Sequence, residues 1–483
     1  MGRGWAGVSF ASPLFLWFFL PLVLLAVVAL PASWRNGVVA VASVVFYATG
    51  AGATTVLLLG CTAVNFVAGR AVEPREGSVG RRRRQVLTGV VTLDLVVLGV
   101  WKYAGFASQQ VATVSHWFGL DVGTVSVVLP IGISFYTFHL ISYVVDVHRG
   151  LRPALRDPVA FVAYTAMFPQ LVAGPVVRYH EIADQLQQVR THRLDDVAAG
   201  FPRFALGLVK KVVVADSLAP IANACFATAP QDVTTGVAWL GALTYTLQLY
   251  FDFSGYSDMA IGLGRMLGFR LPENFDRPYS AVTVTDFWRR WHMSLSRWFR
   301  DYLYIPLGGS RGSTARTYRN LVLVFLLVGL WHGAAWTFVL WGAFHGALLV
   351  VERLTGTGAV PADPRWVALR RAGTLALVVL GWVLFRSPDL ATAGSVLGAL
   401  VVPDPGGLTD VVAASITHQR VLVLVLAATV VLLPRRRSTG RFVAADRGVP
   451  AGALRLVVMT AGTGYAAVLV AAGTFSPFLY FQF

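Results

Sequence analysis

The sequence predicts an all-α fold: a polytopic membrane helical bundle of about ten to twelve spans, with interfacial and re-entrant helices. Three observations carry this. Of 483 residues, 56% are hydrophobic and only 13% are charged, about half the roughly 25% charged residues of a soluble domain. Apolar runs long enough to cross a bilayer recur along the whole chain. The basic residues fall in short connecting segments, such as Arg81-Arg82-Arg83-Arg84, Arg435-Arg436-Arg437, and Arg365 with Arg370-Arg371. That is the distribution of cytoplasmic loops that retain Lys and Arg. It also accounts for the net charge of +16, which points to anionic lipid headgroups and away from nucleic acid.

The spans follow in order. Arg3 and the run Phe10 to Leu30 read as a first transmembrane helix, not a cleaved signal. Segments 37–49 and 51–69 are two spans or a re-entrant hairpin turning at Gly50-Ala51-Gly52. Further spans are expected at 86–104, 124–146, 158–176, 204–226, 235–268, 319–352, 372–386, 419–434 and 452–473. The 235–268 and 319–352 stretches exceed one straight span, so each is a span plus an interfacial segment or two broken helices. Gly255, Gly262 and Gly264 in the first mark break points or close contacts. So do the pairs Gly329/Gly333 and Gly342/Gly346 in the second, whose small-xxx-small spacing lets backbones approach. Loops are expected at 70–85, 149–157, 177–200, 270–286, 306–318, 353–366, 403–417 and 435–451. No internal repeat is visible, and residues 1–483 read as one integral-membrane domain with its motifs densest at about 130–350.

Segment 286–303 is not a span. On a wheel of 100° per residue, Trp288, Trp291, Leu295, Trp298 and Tyr302 share one arc. Arg289, Arg290, Arg297 and Arg300 oppose it. This predicts an interfacial amphipathic helix, with His292 at the edge of its apolar arc.

An ionisable side chain at membrane depth is costly, so it is a functional candidate by default. His332, in Leu330-Trp331-His332-Gly333, follows an uncharged run from Leu321. A neutral imidazole there can serve as a general base for a hydroxyl; a core histidine bonded to a neighbouring helix is the alternative. His345 lies about 220° round from His332 on an unbroken helix, which favours a packing role. His139 is an intramembrane partner at most. His116 and Asp121 form an isolated His-x4-Asp without a companion motif. Asp252 and Asp258, among aromatics and hydroxyls, are either a polar helix end facing water, a lining for a hydroxyl-rich substrate or a partner for a base. Asn274 lies in a Pro-bounded loop at a cavity mouth or in an ordinary connection. Arg289 and Arg290 can hold a phosphate or carboxylate or form a solvated face. Cys61 and Cys225 read as small buried hydrophobes, and no metal spacing occurs. No nucleotide loop, serine elbow or zinc-protease motif is present, so a nucleotide-driven pump and a metallohydrolase find no support.

Several longer motifs stand in a fixed order: Phe168 through Tyr179, Tyr250 through Asp258, Asn274-Phe275 with Arg277-Pro278-Tyr279, Asp286 through Ser296, Asp301 through Gly309, and Trp331-His332-Gly333. With them the chain resembles the membrane-bound O-acyltransferase family, in the bacterial branch that contains alginate O-acetylase and the teichoic-acid D-alanine transfer protein. The tail Phe478 through Phe483 is similar to that of alginate-type members. The resemblance implies that His332 and His292 are the catalytic pair, with His332 as base and His292 in support. Asp252, Asp258, Asn274, Arg289, Arg290 and Trp331 are the substrate-binding candidates beside them. It implies an acyl group, acetyl first, moved from a thioester donor such as acetyl-CoA to hydroxyls of an exported polysaccharide or to an extracytoplasmic acetyl-handling protein. No tightly bound cofactor is implied, and the location is the cell membrane. Two other readings remain: D-alanine transfer to teichoic acid, and a transporter using His332 and His292 as a proton relay.

Overall fold

A computed structural model describes residues 9–74, 80–189, 191–359, 363–432, 449–473 and 478–479. Arg3, Arg435 to Arg437 and the last four residues of the tail lie outside them. Among the described residues every regular element is helical, as the composition predicts. The chain forms two compact units, residues 1–204 with 260–272 and residues 205–259 with 273–483.

The first unit begins with a π turn and α1 (Leu20–Ala29). Next come α2 (Arg35–Ala51) and α3 (Thr55–Val72), joined by a 3-10 turn at Gly52–Thr54, where the hairpin was expected. The 38-residue α4 (Gly80–Trp117) is about 57 Å long at 1.5 Å per residue, well beyond the expected 86–104. A buried hydrogen bond of 2.9 Å from Asn65 Nδ2 to Asp94 Oδ1 ties α3 to α4.

Two expected spans differ. The 124–146 span starts only at α5 (Ile133–His148), after Pro130 and a left-handed Gly132. The 158–176 span is broken into α6 (Pro158–Thr165) and the single turn α7 (Phe168–Leu171). It then runs without helix through Gly174, at φ 110°, and Pro175. Proline and left-handed glycine stop helices that hydropathy alone extends. The expected loop at 177–200 instead holds α8 (Tyr179–Gln187) and the start of α9 (Arg193–Leu208). Glu181 accepts hydrogen bonds from the Arg178 backbone N–H and guanidinium at the start of α8.

In the second unit a π segment, Val209–Ala215, leads into α10 (Asp216–Phe226). Then α11 (Thr235–Met266) runs unbroken for 32 residues, so Gly255 does not interrupt it. Gly255 instead meets Gly207: a Cβ added at Gly207 would lie 2.5 Å from the Gly255 carbonyl oxygen. The 286–303 segment is not one helix. It is α12 (Val284–Trp288) and α13 (Met293–Phe299), separated by a turn in which His292 is left-handed at φ 43°. The apolar and arginine sides survive this break: Trp288, Trp291, Leu295 and Trp298 are buried, whereas Arg289 and Arg300 are exposed.

The 319–352 stretch resolves into a hairpin of α14 (Thr314–His332) and α15 (Trp336–Leu354). Its two glycine pairs form the seam. A Cβ at Gly329 would lie 2.3 Å from the Phe338 carbonyl oxygen, and one at Gly342 would lie 2.3 Å from that of Phe325. The remaining helices are α16 (Pro364–Arg386), α17 (Leu390–Val401), α18 (Asp410–Ser415), α19 (His418–Leu432), α20 (Val449–Val457) and α21 (Thr463–Ala471). Of these, α17 was not anticipated, and α18 occupies an expected loop. Among the described residues, four helical stretches are long and apolar enough to cross a membrane: Ala32–Val72, Gly80–Trp117, Trp336–Leu354 and Pro364–Arg386.

Replacing Gly342 by Val forces side-chain carbon against main chain in the hairpin seam. Overpacking of this kind costs about 1–3 kcal/mol. The variant should unfold at lower temperature in detergent than the wild type. An unchanged melting curve would contradict the seam.

Candidate functional site

The site grows from the turn between α12 and α13. Asn274, fully buried in the loop before α12, fixes this turn with both ends of its amide. Its Oδ1 accepts from the Ser294 backbone N–H at 3.2 Å, the Ser294 hydroxyl at 2.8 Å and His292 Nδ1 at 3.1 Å. Its Nδ2 donates to Ser257 Oγ of α11 at 2.9 Å, and its backbone carbonyl accepts from Met293 N at 3.0 Å. A backbone N–H can only donate, so the amide orientation is determined. His292 therefore carries its proton on Nδ1 and its lone pair on Nε2. A left-handed non-glycine residue is strained and persists only where its surroundings over-determine it. These bonds do so.

His292 has no solvent exposure, and its ring lies edge-on to Phe253 at 4.7 Å. Burial pushes its pKa down to about 3. It is neutral at physiological pH, so Nε2 has the capacity of an acceptor and not of a donor. It does not supply a fixed positive charge.

His332 is the last residue of α14, where the chain turns into extended Gly333. Its ring is 5% exposed and lies against Trp341 at 5.1 Å, Phe385 at 5.1 Å and Trp331 at 4.9 Å. Trp331 also lies 6.2 Å from the His292 ring. One indole thus touches both histidines, and the hairpin end and the α12–α13 turn meet there. Trp331, Asn274, His292 and His332 are the sequence candidates that the structure gathers.

The other candidates fall elsewhere. Asp252 and Asp258 are buried, which excludes the reading of a helix end facing water. Asp252 pairs with Lys211 at 2.8 Å and accepts from Leu479 N at 3.0 Å; Asp258 pairs with Lys210 at 2.6 Å. Lys211 also meets Asp216 at 2.6 Å. Both carboxylates are thus held by lysines. Arg290 is bound to Asp286 at 2.8 Å, and Arg289 is exposed on the rim of a cavity. His345 is nearer the site than the unbroken-helix expectation allows, because the chain reverses after His332. Trp341 contacts both rings, with its centroid 5.0 Å from that of His345. Even so, His345 is enclosed by aromatic rings, consistent with packing. His139 lies in the first unit, 5.6 Å from Tyr164. His116 and Asp121 are exposed, and no ion pair joins them among the described residues.

Lys210 and Lys211 escaped the sequence reading. Two adjacent lysines in the apolar run 204–226 were the available signal, since a charge in such a run needs a partner. Removing one member of a buried pair leaves the other charge uncompensated, at about 3–5 kcal/mol. Lys211→Met should therefore lower thermal stability sharply, and adding Asp252→Leu should recover part of the loss. A single variant as stable as wild type would contradict the pairing.

Residues 152–365 match the family model of the membrane-bound O-acyltransferases. The chain is 45% identical to the "Probable alginate O-acetylase AlgI" of Azotobacter vinelandii, over 98% of this chain and 100% of that one. It is 35% identical to the "Peptidoglycan O-acetyltransferase" of Helicobacter pylori, over 81% and 79% of the two chains. Identity to the "Teichoic acid D-alanyltransferase" of Bacillus subtilis is 29%, over only 45% and 58%. The chain belongs to the membrane-bound O-acyltransferase family and is a multi-pass membrane O-acyltransferase.

Proposed function

We propose that the protein transfers acetyl groups from a thioester donor, acetyl-CoA in the first instance, towards hydroxyls of an exported polysaccharide at the cell membrane. An extracytoplasmic acetyl-handling protein is the alternative immediate acceptor. The observation that carries this reading is the full-length similarity to an alginate O-acetylase. The D-alanine reading is supported only by the more distant, partial match. Family membership favours acyl transfer over a proton relay.

In the proposed step, the neutral His332 imidazole takes the proton of the acceptor hydroxyl while its oxygen attacks the thioester carbonyl. The tetrahedral intermediate collapses, the C–S bond breaks, and the thiolate recovers the proton from the imidazolium. Oxygen gains the acetyl group that sulfur loses, and no net proton is consumed. The buried walls around His332 exclude water that would otherwise hydrolyse the thioester. His292 offers a lone pair at Nε2, so its role is to orient an O–H or N–H donor of a substrate. Stabilising the oxyanion falls to other groups, because a neutral acceptor nitrogen cannot donate to it.

A positioned general base contributes about 10²–10⁴-fold. His332→Ala should cut the polymer's O-acetyl content by at least about a hundredfold, with the protein still present in the membrane fraction. Undiminished acetylation would end this assignment. Mild alkaline release from the modified polymer should yield acetate. Released D-alanine would instead establish the other cargo.

A further inference from the structure

A cavity of about 680 Å³ lies among α12, α13 and the α14–α15 hairpin, all within the second unit. Its volume falls within the range of about 300–1,000 Å³ usual for small-molecule sites. The floor is apolar, formed by Leu321, Val324, Phe325, Val328 and Leu349, with Trp288 as one wall. The rim is basic, with Arg289, Arg297, Arg300 and Arg353.

These arginines are not equivalent. Arg297 is spent on the carbonyls of Met293 and Glu273, and Arg300 pairs with Asp301. Arg289 and Arg353 are exposed and have no hydrogen-bonding or ionic partner among the described residues. Among the described residues lining the cavity the one carboxylate, Glu352, accepts from the backbone N–H groups of Val284 and Thr285 and from the Thr285 hydroxyl. Its charge is taken up by the start of α12. What remains is two uncommitted guanidinium groups above an apolar floor.

That combination suits an amphiphile with an anionic head. The hairpin also indicates how it arrives: Leu323, Leu327, Val351 and Leu354 expose 37%, 37%, 51% and 63% of their surface, and α15 is apolar and long enough to span a bilayer. We propose that this cavity holds one anionic phospholipid, its phosphodiester on Arg289 and Arg353 and an acyl chain along the floor. Its occupant braces the aromatic wall behind the site: Trp288 lies 5.2 Å from His345 and 5.7 Å from Trp341, the ring that contacts His332. This binding does not depend on the acetyl-transfer reading.

The test is native mass spectrometry of the delipidated full chain, titrated with phosphatidylglycerol or phosphatidylcholine of identical chains. Basic residues at a membrane surface each contribute severalfold. Wild type should therefore retain one phosphatidylglycerol about tenfold more tightly than phosphatidylcholine. Arg289→Gln with Arg353→Gln should abolish that preference. Leu349→Trp, which fills the floor and keeps both arginines, should weaken retention of either lipid. Equal retention of the two lipids by wild type, or unchanged selectivity in the double variant, would overturn the proposal. So would displacement of phosphatidylglycerol by coenzyme A or inorganic phosphate, which would assign the arginines to a soluble phosphate ligand. The wild-type selectivity and competition arms decide the matter even where a variant fails to fold.

Discussion

The Asn274 amide is the joint on which the site depends. Its carbonyl end takes three donors from the turn after α12, and its amino end reaches α11. Four hydrogen bonds to one buried side chain hold His292 in a left-handed conformation and select which nitrogen carries the proton. Without them the sequence from Trp288 to Tyr302 has the periodicity of one continuous helix. That helix would keep His292 on its side and its ring in another orientation. A polar side chain placed in a loop thus does more for the chemistry than either short helix it separates.

The wider constraint is the cost of an unpartnered polar group in an apolar interior. It explains the charge pairs in which the two lysines of the π segment meet Asp252 and Asp258 of α11 and Asp216 of α10. It also explains the hairpin. Gly329 and Gly342 bring two helices so close that main chain touches main chain, which favours association where lipid offers no hydrophobic drive. The close seam leaves His332 at the very end of α14, where the chain must turn, with its ring among Trp331, Trp341 and Phe385.

Composition and period made the fold class legible, because a chain with so few charges has one solvent in which it can fold. The small-xxx-small glycines correctly marked a close contact, and the two histidines in Trp-rich motifs lie against one indole, that of Trp331. Hydropathy failed where backbone chemistry overrides it: Gly132 delays α5, and Pro169 with Gly174 breaks the 158–176 run. Of the two readings open for Gly255, the close contact holds and the break does not, since this interior glycine meets Gly207 and α11 continues through it. The helical wheel could not see His292 leave the helix, because the cause, Asn274, lies 18 residues earlier and acts through space. The aspartates were visible, but their lysines stood one helix away, and only the fold pairs them.

The acceptor role of His292 rests on which ring nitrogen carries its proton, and this can be measured directly. Solid-state ¹⁵N NMR of histidine-labelled protein in bilayers, with the resonance assigned by its loss in His292→Gln, reports which ring nitrogen carries hydrogen. At neutral pH the geometry requires a protonated Nδ1 and a bare Nε2. A proton on Nε2 alone, or on both nitrogens, would contradict the Asn274 clamp and the acceptor role it gives His292.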